Sequence, residues 1–257
     1  MPHIHYAEGD AVAEITLDNA PVNALTETMI ADLIAALDRA AAERSVRAVI
    51  LRSALARRFC AGLDLAVLER ATPQEVRSLL DKLYPGICEA QLRLGKPSIA
   101  AVAGAARGGG MTLAISCDLI VAARSASFGY PEIEIGVLPA IHFAHLHRIV
   151  GRYRAFDLLF TGRSFDAEEA RAIGLVNRVV DDGQVLEAAR SLARTLAGKA
   201  PAAIRTGRAA FYRAIDHGYQ QAVRDAAETF SSIATSAEGR EGVSAFVNRR
   251  PPDWREQ

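Results

Sequence analysis

The chain has 257 residues, half of them apolar, which is enough for one large core or for one core and a small appended domain. Its 30 Lys and Arg residues balance 30 Asp and Glu residues, so no net field would gather nucleic acid or an anionic membrane surface. The first residues lack a basic flank followed by an apolar run, and no stretch of about 18 apolar residues follows. We therefore expect a soluble, cytoplasmic protein that neither enters a membrane nor binds nucleic acid.

Strands and helices alternate in the first part of the chain. Alternating apolar residues predict a half-buried strand over 11–17, and β-branched runs from Val46 and Ser98 predict strands covered on both faces. Apolar residues at 3.6-residue spacing predict a helix over 26–43, and Thr26 is placed to cap its first turn. This alternation is typical of an α/β fold.

Two further helix starts carry their own capping signals. The segment Thr72-Pro73-Gln74-Glu75 forms a capping box, and it predicts a helix that runs to about residue 94. Asp166 is an acidic cap for a short helix, which Gly174 closes before a strand-like segment. From Asp181 onward, the high content of Ala, Arg and Glu predicts consecutive helices without strands.

The change in composition near residue 195 divides the chain. We expect an α/β core over 1–195 and a helical region over 196–257. The three cysteines are an odd number without CxxC spacing, which disfavours both a disulfide framework and a zinc site.

Two glycine-containing segments each follow a predicted strand and precede a helical stretch. They are FCAGLDL from Phe59 and AARGGGM from Ala105. Glycines that open a helix leave its first N–H groups unhindered, and these unsatisfied donors suit an anion. Two such groups from different loops would form an oxyanion hole, where each donor contributes about 3 kcal/mol in the transition state. Tight helix–strand packing without a ligand is the alternative. A P-loop does not fit, because no Lys-Ser or Lys-Thr pair follows the glycines.

Six sequence blocks resemble the crotonase, or enoyl-CoA hydratase/isomerase, superfamily in the order in which that family has them. The blocks are PVNALT from Pro21, FCAGLDL from Phe59, KPSIAAVAGAARGGGMTLAISCDLIVAA from Lys96, FGYPEIEIG from Phe128, LLFTGRSFDAEEARAIGLVNRVV from Leu158 and EGVSAFVNRR from Glu241. The resemblance implies a ClpP-like spiral of strand-strand-helix repeats and a C-terminal helical region that builds homotrimers, often paired into hexamers. It also implies an acyl-CoA substrate, with coenzyme A as part of the substrate and no metal or further cofactor.

The resemblance assigns roles to individual residues. The N–H groups of the oxyanion hole fall on Leu63 and on Gly109, the middle glycine of the triplet. Contacts with coenzyme A fall on two stretches and on the C-terminal block: Asn23, Ala24 and Leu25; Ala61, Gly62, Asp64 and Leu65; and Phe246 and Arg249. In some relatives the C-terminal block reaches the coenzyme A of an adjacent subunit. The basic pair of Arg249 and Arg250 is equally compatible with an ordinary solvated face. Asp64 is also placed to pin its own loop by accepting N–H bonds.

The family's hydratases use two glutamates to position and activate the added water, and this chain matches only one of them. Thr112 stands at the first position, whereas Glu132 matches the second. A threonine hydroxyl holds water by hydrogen bonding but is a poor general base unaided. A single carboxylate suffices to move a proton between C2 and C4 of an acyl thioester, so we expect double-bond isomerisation rather than hydration. Glu134 would share the face of Glu132 only on an extended segment.

Three histidines and one cysteine leave other interpretations open. His142 and His145 share a helical face, as a metal-binding or acid–base pair would, whereas His147 points away; ordinary structural histidines are the commoner case. Cys60 precedes the oxyanion loop and would be either a nucleophile or a small core residue. The alternatives for function are an acyl-CoA hydrolase or decarboxylase on the same fold and an inactive homologue that binds acyl-CoA.

Overall fold

The computed structural model describes residues 3–66, 71–216, 237, 241, 245 and 248–253. Its strands are short, and most of them run parallel to their neighbours. The strands are β1 (Ile4–Gly9), β2 (Val12–Leu17), β3 (Ala24–Leu25), β4 (Ala48–Ser53), β5 (Arg58–Cys60), β6 (Gly62–Leu63), β7 (Ser98–Val102), β8 (Ala105–Arg107), β9 (Leu119–Ala123), β10 (Ser127–Gly129), β11 (Ser164–Asp166) and β12 (Arg178–Val180).

The strands form three sheets. The largest has the order β1-β2-β4-β7-β9-β12, the second has the order β11-β10-β8-β5, and β3 pairs with β6. In the largest sheet β1 is antiparallel to β2, with Ile4 opposite Leu17, and the other strands run parallel. The predicted strands over 11–17, from Val46 and from Ser98 are confirmed as β2, β4 and β7.

The chain repeats one unit as it moves between the sheets. The pairs β4–β5, β7–β8 and β9–β10 each place their first strand in the large sheet and their second strand in the small sheet, and a helical segment follows each pair. The short turns between the two strands of each pair let the chain pass from one sheet to the other. The expected spiral of strand-strand-helix repeats is therefore confirmed, and with it the α/β fold class.

The helices pack against these sheets. They are α1 (Glu27–Ala42), α2 (Pro73–Asp81), α3 (Ile87–Leu94), α4 (Gly109–Ser116), α5 (Ile141–Val150), α6 (Arg152–Thr161), α7 (Ala167–Ala172), α8 (Val185–Ala197) and α9 (Pro201–Asp216), with a π-helix at Lys82–Gly86 and a 3-10 helix at Pro131–Ile135. The predicted caps are confirmed, since the hydroxyl of Thr26 accepts the Met29 N–H at 3.2 Å and the carboxylate of Asp166 accepts the Glu169 N–H at 2.7 Å.

The helix expected from Thr72 to about Leu94 is confirmed in extent, although it is not a uniform α-helix. Its capping box is present, because the Thr72 hydroxyl accepts the Glu75 N–H at 3.3 Å and the Glu75 carboxylate accepts the Thr72 N–H at 2.7 Å. The segment then widens into the π-helix, which contains Pro85. Proline has no N–H to donate and its ring clashes with the preceding turn, so the regular hydrogen-bond ladder cannot continue through it.

The C-terminal region of the described chain is helical, as expected. Helix α8 packs its apolar face on β4, β7 and β9, and it ends at Ala197, close to the boundary predicted at residue 195. Helix α9 is fastened to the same sheet through Asp118, which accepts hydrogen bonds from Arg208 Nε at 2.9 Å and from the Tyr212 hydroxyl at 2.5 Å. The division of the chain into 1–195 and 196–257 stays a prediction. Among the described helices, none combines the length and the apolarity that a membrane crossing needs.

Candidate active site

The two backbone segments expected to form an oxyanion hole lie against each other. Leu63 ends β6, and Gly109 is the first residue of α4, where an N–H group has no acceptor within the helix. A Cβ atom placed on Gly109 would lie 3.4 Å from the Leu63 nitrogen and 3.2 Å from the nearest Leu25 carbon. A Cβ atom on Gly62, where φ is +98°, would lie 3.1 Å from the Gly109 nitrogen. Glycine at both positions therefore allows the two segments to approach.

Helix α4 is held tightly at its start. The Gly108 N–H donates to the Gly129 carbonyl at 3.2 Å, which ties the helix start to β10. A Cβ atom on Gly110 would lie only 2.2 Å from the Cys60 carbonyl oxygen, so α4 packs directly on β5 at this point. The glycine triplet thus serves close helix–strand packing, and it also lets the start of α4 approach the Leu63 backbone.

The Glu132 carboxylate lies at the same helix start. Glu132 is carried by the 3-10 helix that follows β10, and a Cβ atom on Gly108 would lie 2.7 Å from its Oε1. Its Oε2 is buried, with no hydrogen-bond partner among the described residues. Burial raises the pKa of this carboxyl above its ordinary value, and a backbone hydrogen bond lowers it by less. A partly desolvated carboxylate of this kind is a better base than an exposed one.

Glu134 does not share the position of Glu132. Because the segment is a 3-10 helix rather than extended, Glu134 is exposed and lies beside Gly162, where a Cβ atom would be 3.4 Å from its Oε1. The alternative that depended on an extended segment is therefore wrong.

Thr112 and His142 meet in the interior beside this site. The Thr112 hydroxyl oxygen and His142 Nε2 are 3.3 Å apart, and both side chains are buried. The His142 ring also packs on Tyr130, with ring centroids 4.5 Å apart. Burial, followed by the charge of His145, lowers the pKa of His142 to about 3, whereas contact with the Gly108 backbone acts in the opposite direction. His142 is therefore a neutral imidazole near pH 7.

Two tyrosines near Glu132 carried no signal in the sequence. Burial raises the pKa of both Tyr84 and Tyr130, and the nearby Glu132 charge raises them further. Both hydroxyls consequently stay protonated in the range where Glu132 titrates. Tyr84 lies in the π-helix and Tyr130 precedes Pro131, so each comes from a segment whose geometry the hydrophobic pattern does not specify.

Cys60 is a core residue in this structure. Its side chain is fully buried, and its thiol donates to the Asn23 carbonyl at 3.1 Å. Burial raises the pKa of the Cys60 thiol to about 12. A thiol that stays protonated at neutral pH is a poor nucleophile, so the core interpretation of Cys60 fits and thioester attack by this residue does not.

The first stretch assigned to coenzyme A is mostly internal. The amide of Asn23 donates to the Ser53 hydroxyl at 2.8 Å and to the Phe59 carbonyl at 2.9 Å, and Asn23 is fully buried. Leu25 is also buried, whereas Ala24 is half-buried. Contact of this stretch with coenzyme A stays a prediction, and it would have to come through Ala24 or the backbone.

The second stretch is more open. Ala61 and Leu65 are exposed at the two ends of the loop, and the buried Gly62 lies between them. Asp64 accepts the Ala66 N–H at 3.1 Å, so the expected pinning of the loop by this side chain is present. The exposed ends are the parts of this stretch that remain available for a ligand.

The C-terminal block is only partly described. Phe246 lies outside the described residues. Arg249 is exposed with φ of +51°, and Arg250 forms an ion pair with Glu241 at 2.5 Å. A role of Arg249 toward coenzyme A stays a prediction.

No metal centre is formed by the histidines within the described residues. His145 is half-buried, and His147 is exposed and contacts the Phe143 carbonyl at 2.8 Å. In the described ranges, no three His, Cys, Asp or Glu side chains come close enough to hold an ion.

Comparison with known proteins assigns the chain to a family. A family model described as enoyl-CoA hydratase/isomerase matches residues 7–257. The chain therefore belongs to the enoyl-CoA hydratase/isomerase family, a branch of the crotonase superfamily. It is similar to the 2,3-dehydroadipyl-CoA hydratase of Escherichia coli, with 32% identity over 99% of both chains, and to a probable enoyl-CoA hydratase of Rhizobium meliloti, with 36% identity over 95% of this chain and 94% of that protein. The crystal structure of an enoyl-CoA hydratase from Mycobacterium smegmatis has 35% identity and a TM-score of 0.93, with 99% of each chain covered.

Proposed function

We propose that this chain acts on enoyl-CoA thioesters and moves their double bond from C3 to C2, with Glu132 as the proton carrier. Membership of the family supports an acyl-CoA substrate. The observation that carries the proposal is the position of the Glu132 carboxylate, which lies against Gly108 beside the first N–H groups of α4 and has a raised pKa.

The reaction moves one proton through one carboxylate in two transfers. Ionised Glu132 takes a proton from C2 of a 3-enoyl thioester, and the released electron pair delocalises onto the thioester oxygen as a dienolate. The N–H groups of Leu63 and Gly109 donate to that oxygen. Glu132 then gives its proton to C4 while the carbonyl and the C2–C3 double bond form, which restores the carboxylate. A carboxyl whose pKa is raised toward that of the enolised carbon lowers the cost of both transfers.

Hydration is the second candidate. The relatives from Escherichia coli and Rhizobium meliloti are named as hydratases, and Thr112 has a buried hydrogen-bonding partner that orients its hydroxyl. We favour isomerisation because water addition needs a group that takes a proton from water as well as one that supplies a proton to C2. Glu132 fits one of these roles, and Thr112 is a weak base for the other.

The exposed ends of the loop over 61–65 support a place for coenzyme A. We propose that the coenzyme lies along Ala61 and Leu65, with Ala24 below them and Arg249 contributing a positive charge. This arrangement leaves the thioester between Leu63 and Gly109.

An aromatic patch on α5 and α6 supports self-association into a homotrimer, or a hexamer made of two trimers. The patch consists of Phe143, Tyr153, Phe156 and Phe160, all exposed in the single chain. The Phe156 and Phe160 rings stack with centroids 4.3 Å apart, and Phe143 stacks on Phe160 at 5.8 Å. A contiguous aromatic surface of this kind is unfavourable in water and usually marks an interface.

The experiment that tests the proposed function is a product analysis with a medium-chain 3-enoyl-CoA. We expect the 2-enoyl isomer to accumulate ahead of any 3-hydroxyacyl product. Glu132→Gln should lower the rate by about 10²-fold or more, because general acid–base groups contribute about that much. Acyl-CoA binding should survive this change. Glu134→Gln, two residues away and exposed, is the matched control and should stay active. Full activity in Glu132→Gln would refute the assignment.

A further inference from the structure

The contact between Thr112 and His142 joins two elements that are distant in sequence. Thr112 lies in the first turns of α4, and His142 lies at the start of α5. Their side chains are 5% and 1% exposed, so neither exchanges its partner for bulk water easily. The 3.3 Å separation between the Thr112 oxygen and His142 Nε2 is compatible with one hydrogen bond.

The surrounding hydrogen bonds favour pairing of the Thr112 hydroxyl with His142. A threonine within a helix often donates its hydroxyl to the carbonyl four residues back, which here belongs to Gly108. That carbonyl already accepts the N–H groups of Met111 at 2.9 Å and of Thr112 at 3.1 Å. A carbonyl oxygen has two lone pairs, so the Thr112 hydroxyl is left to pair with His142 Nε2. His142 Nδ1 is buried and has no partner among the described residues.

The surroundings of this pair disfavour a positive charge on His142. No described carboxylate contacts His142, the Tyr130 ring packs on it, and His145 adds a repulsive charge when it is protonated. An imidazole in such surroundings holds a proton weakly, so it is a poor acceptor for a proton from water. Tyr84 and Tyr130 stay protonated as well. Among the described residues at this site, Glu132 is the carboxylate beside the start of α4, and burial raises its pKa.

We propose that His142 is a positioning residue that holds the Thr112 hydroxyl, and that this neutral pair keeps Glu132 as the single proton carrier, which sets the product in favour of the isomer over the hydrate. The proposal rests on the proposed function above. Water addition at C3 requires a proton acceptor for water while a proton is delivered to C2. The neutral pair supplies a hydrogen-bonding surface for the acyl group but no such acceptor.

Thr112→Glu tests the product preference directly. A carboxylate at position 112 would stand next to His142 and give the site a second group that takes and returns protons. We expect the ratio of 3-hydroxyacyl-CoA to 2-enoyl-CoA, formed from a 3-enoyl-CoA, to rise at least tenfold. A ratio within twofold of the wild-type value in a folded Thr112→Glu protein would overturn the proposal.

A double-mutant cycle tests the positioning role and does not depend on Thr112→Glu folding. Thr112→Val removes the hydroxyl at nearly constant volume, and His142→Leu removes its hydrogen-bond partner. We expect each change to lower kcat at least fivefold with KM altered less than twofold, and the double variant to be no worse than either single one. Multiplied losses in the double variant, or an unchanged kcat in both single variants, would contradict a shared role.

Conservative variants separate positioning from simple packing. Thr112→Ser keeps the hydroxyl, and His142→Gln offers an amide oxygen at about the position of Nε2, so each should recover most of the loss seen with Val or Leu. Equal losses in the conservative and disruptive variants would overturn the positioning role. His147→Gln, on the exposed face of the same helix, is the control that should keep wild-type kcat.

The experiments distinguish a failure of the proposed function from a failure of the role given to His142 and Thr112. If the proposed function is wrong, neither isomer nor hydrate forms, or both form in Glu132→Gln. If only the role of Thr112 and His142 is wrong, formation of both products still depends on Glu132. The ratio of 3-hydroxyacyl-CoA to 2-enoyl-CoA then stays the same in the variants at positions 112 and 142.

Discussion

Among single residues, Glu132 determines the pH range in which the proposed reaction runs. Its carboxyl must be ionised to accept a proton from C2, and burial raises its pKa above 4.5. We therefore expect kcat/KM to fall as the pH is lowered, with the midpoint of this acidic limb above pH 4.5. The neighbouring Tyr84 and Tyr130 stay protonated and His142 stays neutral, so these groups add no further limb between about pH 5 and 8. A rate that stays constant down to pH 4.5 would contradict this account.

His142 should make the stability of the fold depend on pH. The pKa of His142 is about 3 in the folded protein against 6.5 for an ordinary histidine, so below pH 6.5 the unfolded chain binds a proton that the folded chain does not. The free energy of unfolding consequently falls as the pH drops from 6.5 toward 3, by about 2 kcal/mol at pH 5. The measurement is denaturant unfolding of wild type and His142→Leu at pH 7 and pH 5. Wild type should lose about 2 kcal/mol more than the variant; equal losses would show that His142 is not buried in neutral form.

At the scale of elements, the packing of α4 on β5 decides where the N–H groups of Gly109 lie. Gly110→Ala would place a Cβ atom 2.2 Å from the Cys60 carbonyl, and backbone must move to relieve it. We expect a loss of about 1–3 kcal/mol in unfolding free energy together with lost activity. Gly207→Ala in α9, where a Cβ atom meets nothing within 4 Å, is the control. It should be neutral or stabilise by up to about 1 kcal/mol, because alanine favours a helix. Equal effects at the two positions would refute close packing at Gly110.

The elements also show how far local sequence patterns reach. Capping signals at Thr26, Thr72 and Asp166 predicted helix starts correctly, because a cap depends on residues within one turn. The π-helix at Lys82–Gly86 was not predicted, because capping signals and apolar spacing do not specify the hydrogen-bond pattern of a helix around Pro85. The antiparallel β1 was missed as well, because its exposed pattern carries little periodicity.

For the molecule as a whole, the spiral was predictable only through the resemblance of the six sequence blocks. The hydrophobic periodicity predicted an α/β class. It did not predict which strands belong to which sheet, because the turns that carry the chain between the two sheets leave no period-two or period-3.6 pattern. The candidate site was likewise predictable from the sequence only in part. The approach of Leu63 to Gly109 follows from glycines that the sequence displays, whereas the contact between Thr112 and His142 joins residues 30 positions apart and depends on the docking of α5.

The aromatic patch leads to a prediction about assembly. Light scattering should give a mass three or six times the 27.5 kDa of one chain. Phe156→Asp places a charge in the patch and should reduce that mass, whereas Leu92→Asp, at an exposed apolar residue on α3, should not. A wild-type mass of one chain would refute the assembly and leave the patch unexplained.

The most direct test of the central claim follows the proton itself. A 3-enoyl-CoA carrying deuterium at C2 is incubated with the wild-type protein in ordinary water, and the product is analysed by mass spectrometry and NMR before much substrate has turned over. Transfer by one buried carboxylate predicts a 2-enoyl-CoA in which part of the deuterium has moved to C4, and no such product with Glu132→Gln. A product whose C4 carries only hydrogen from water, or a 3-hydroxyacyl-CoA with no isomer, would contradict the single-carboxylate account.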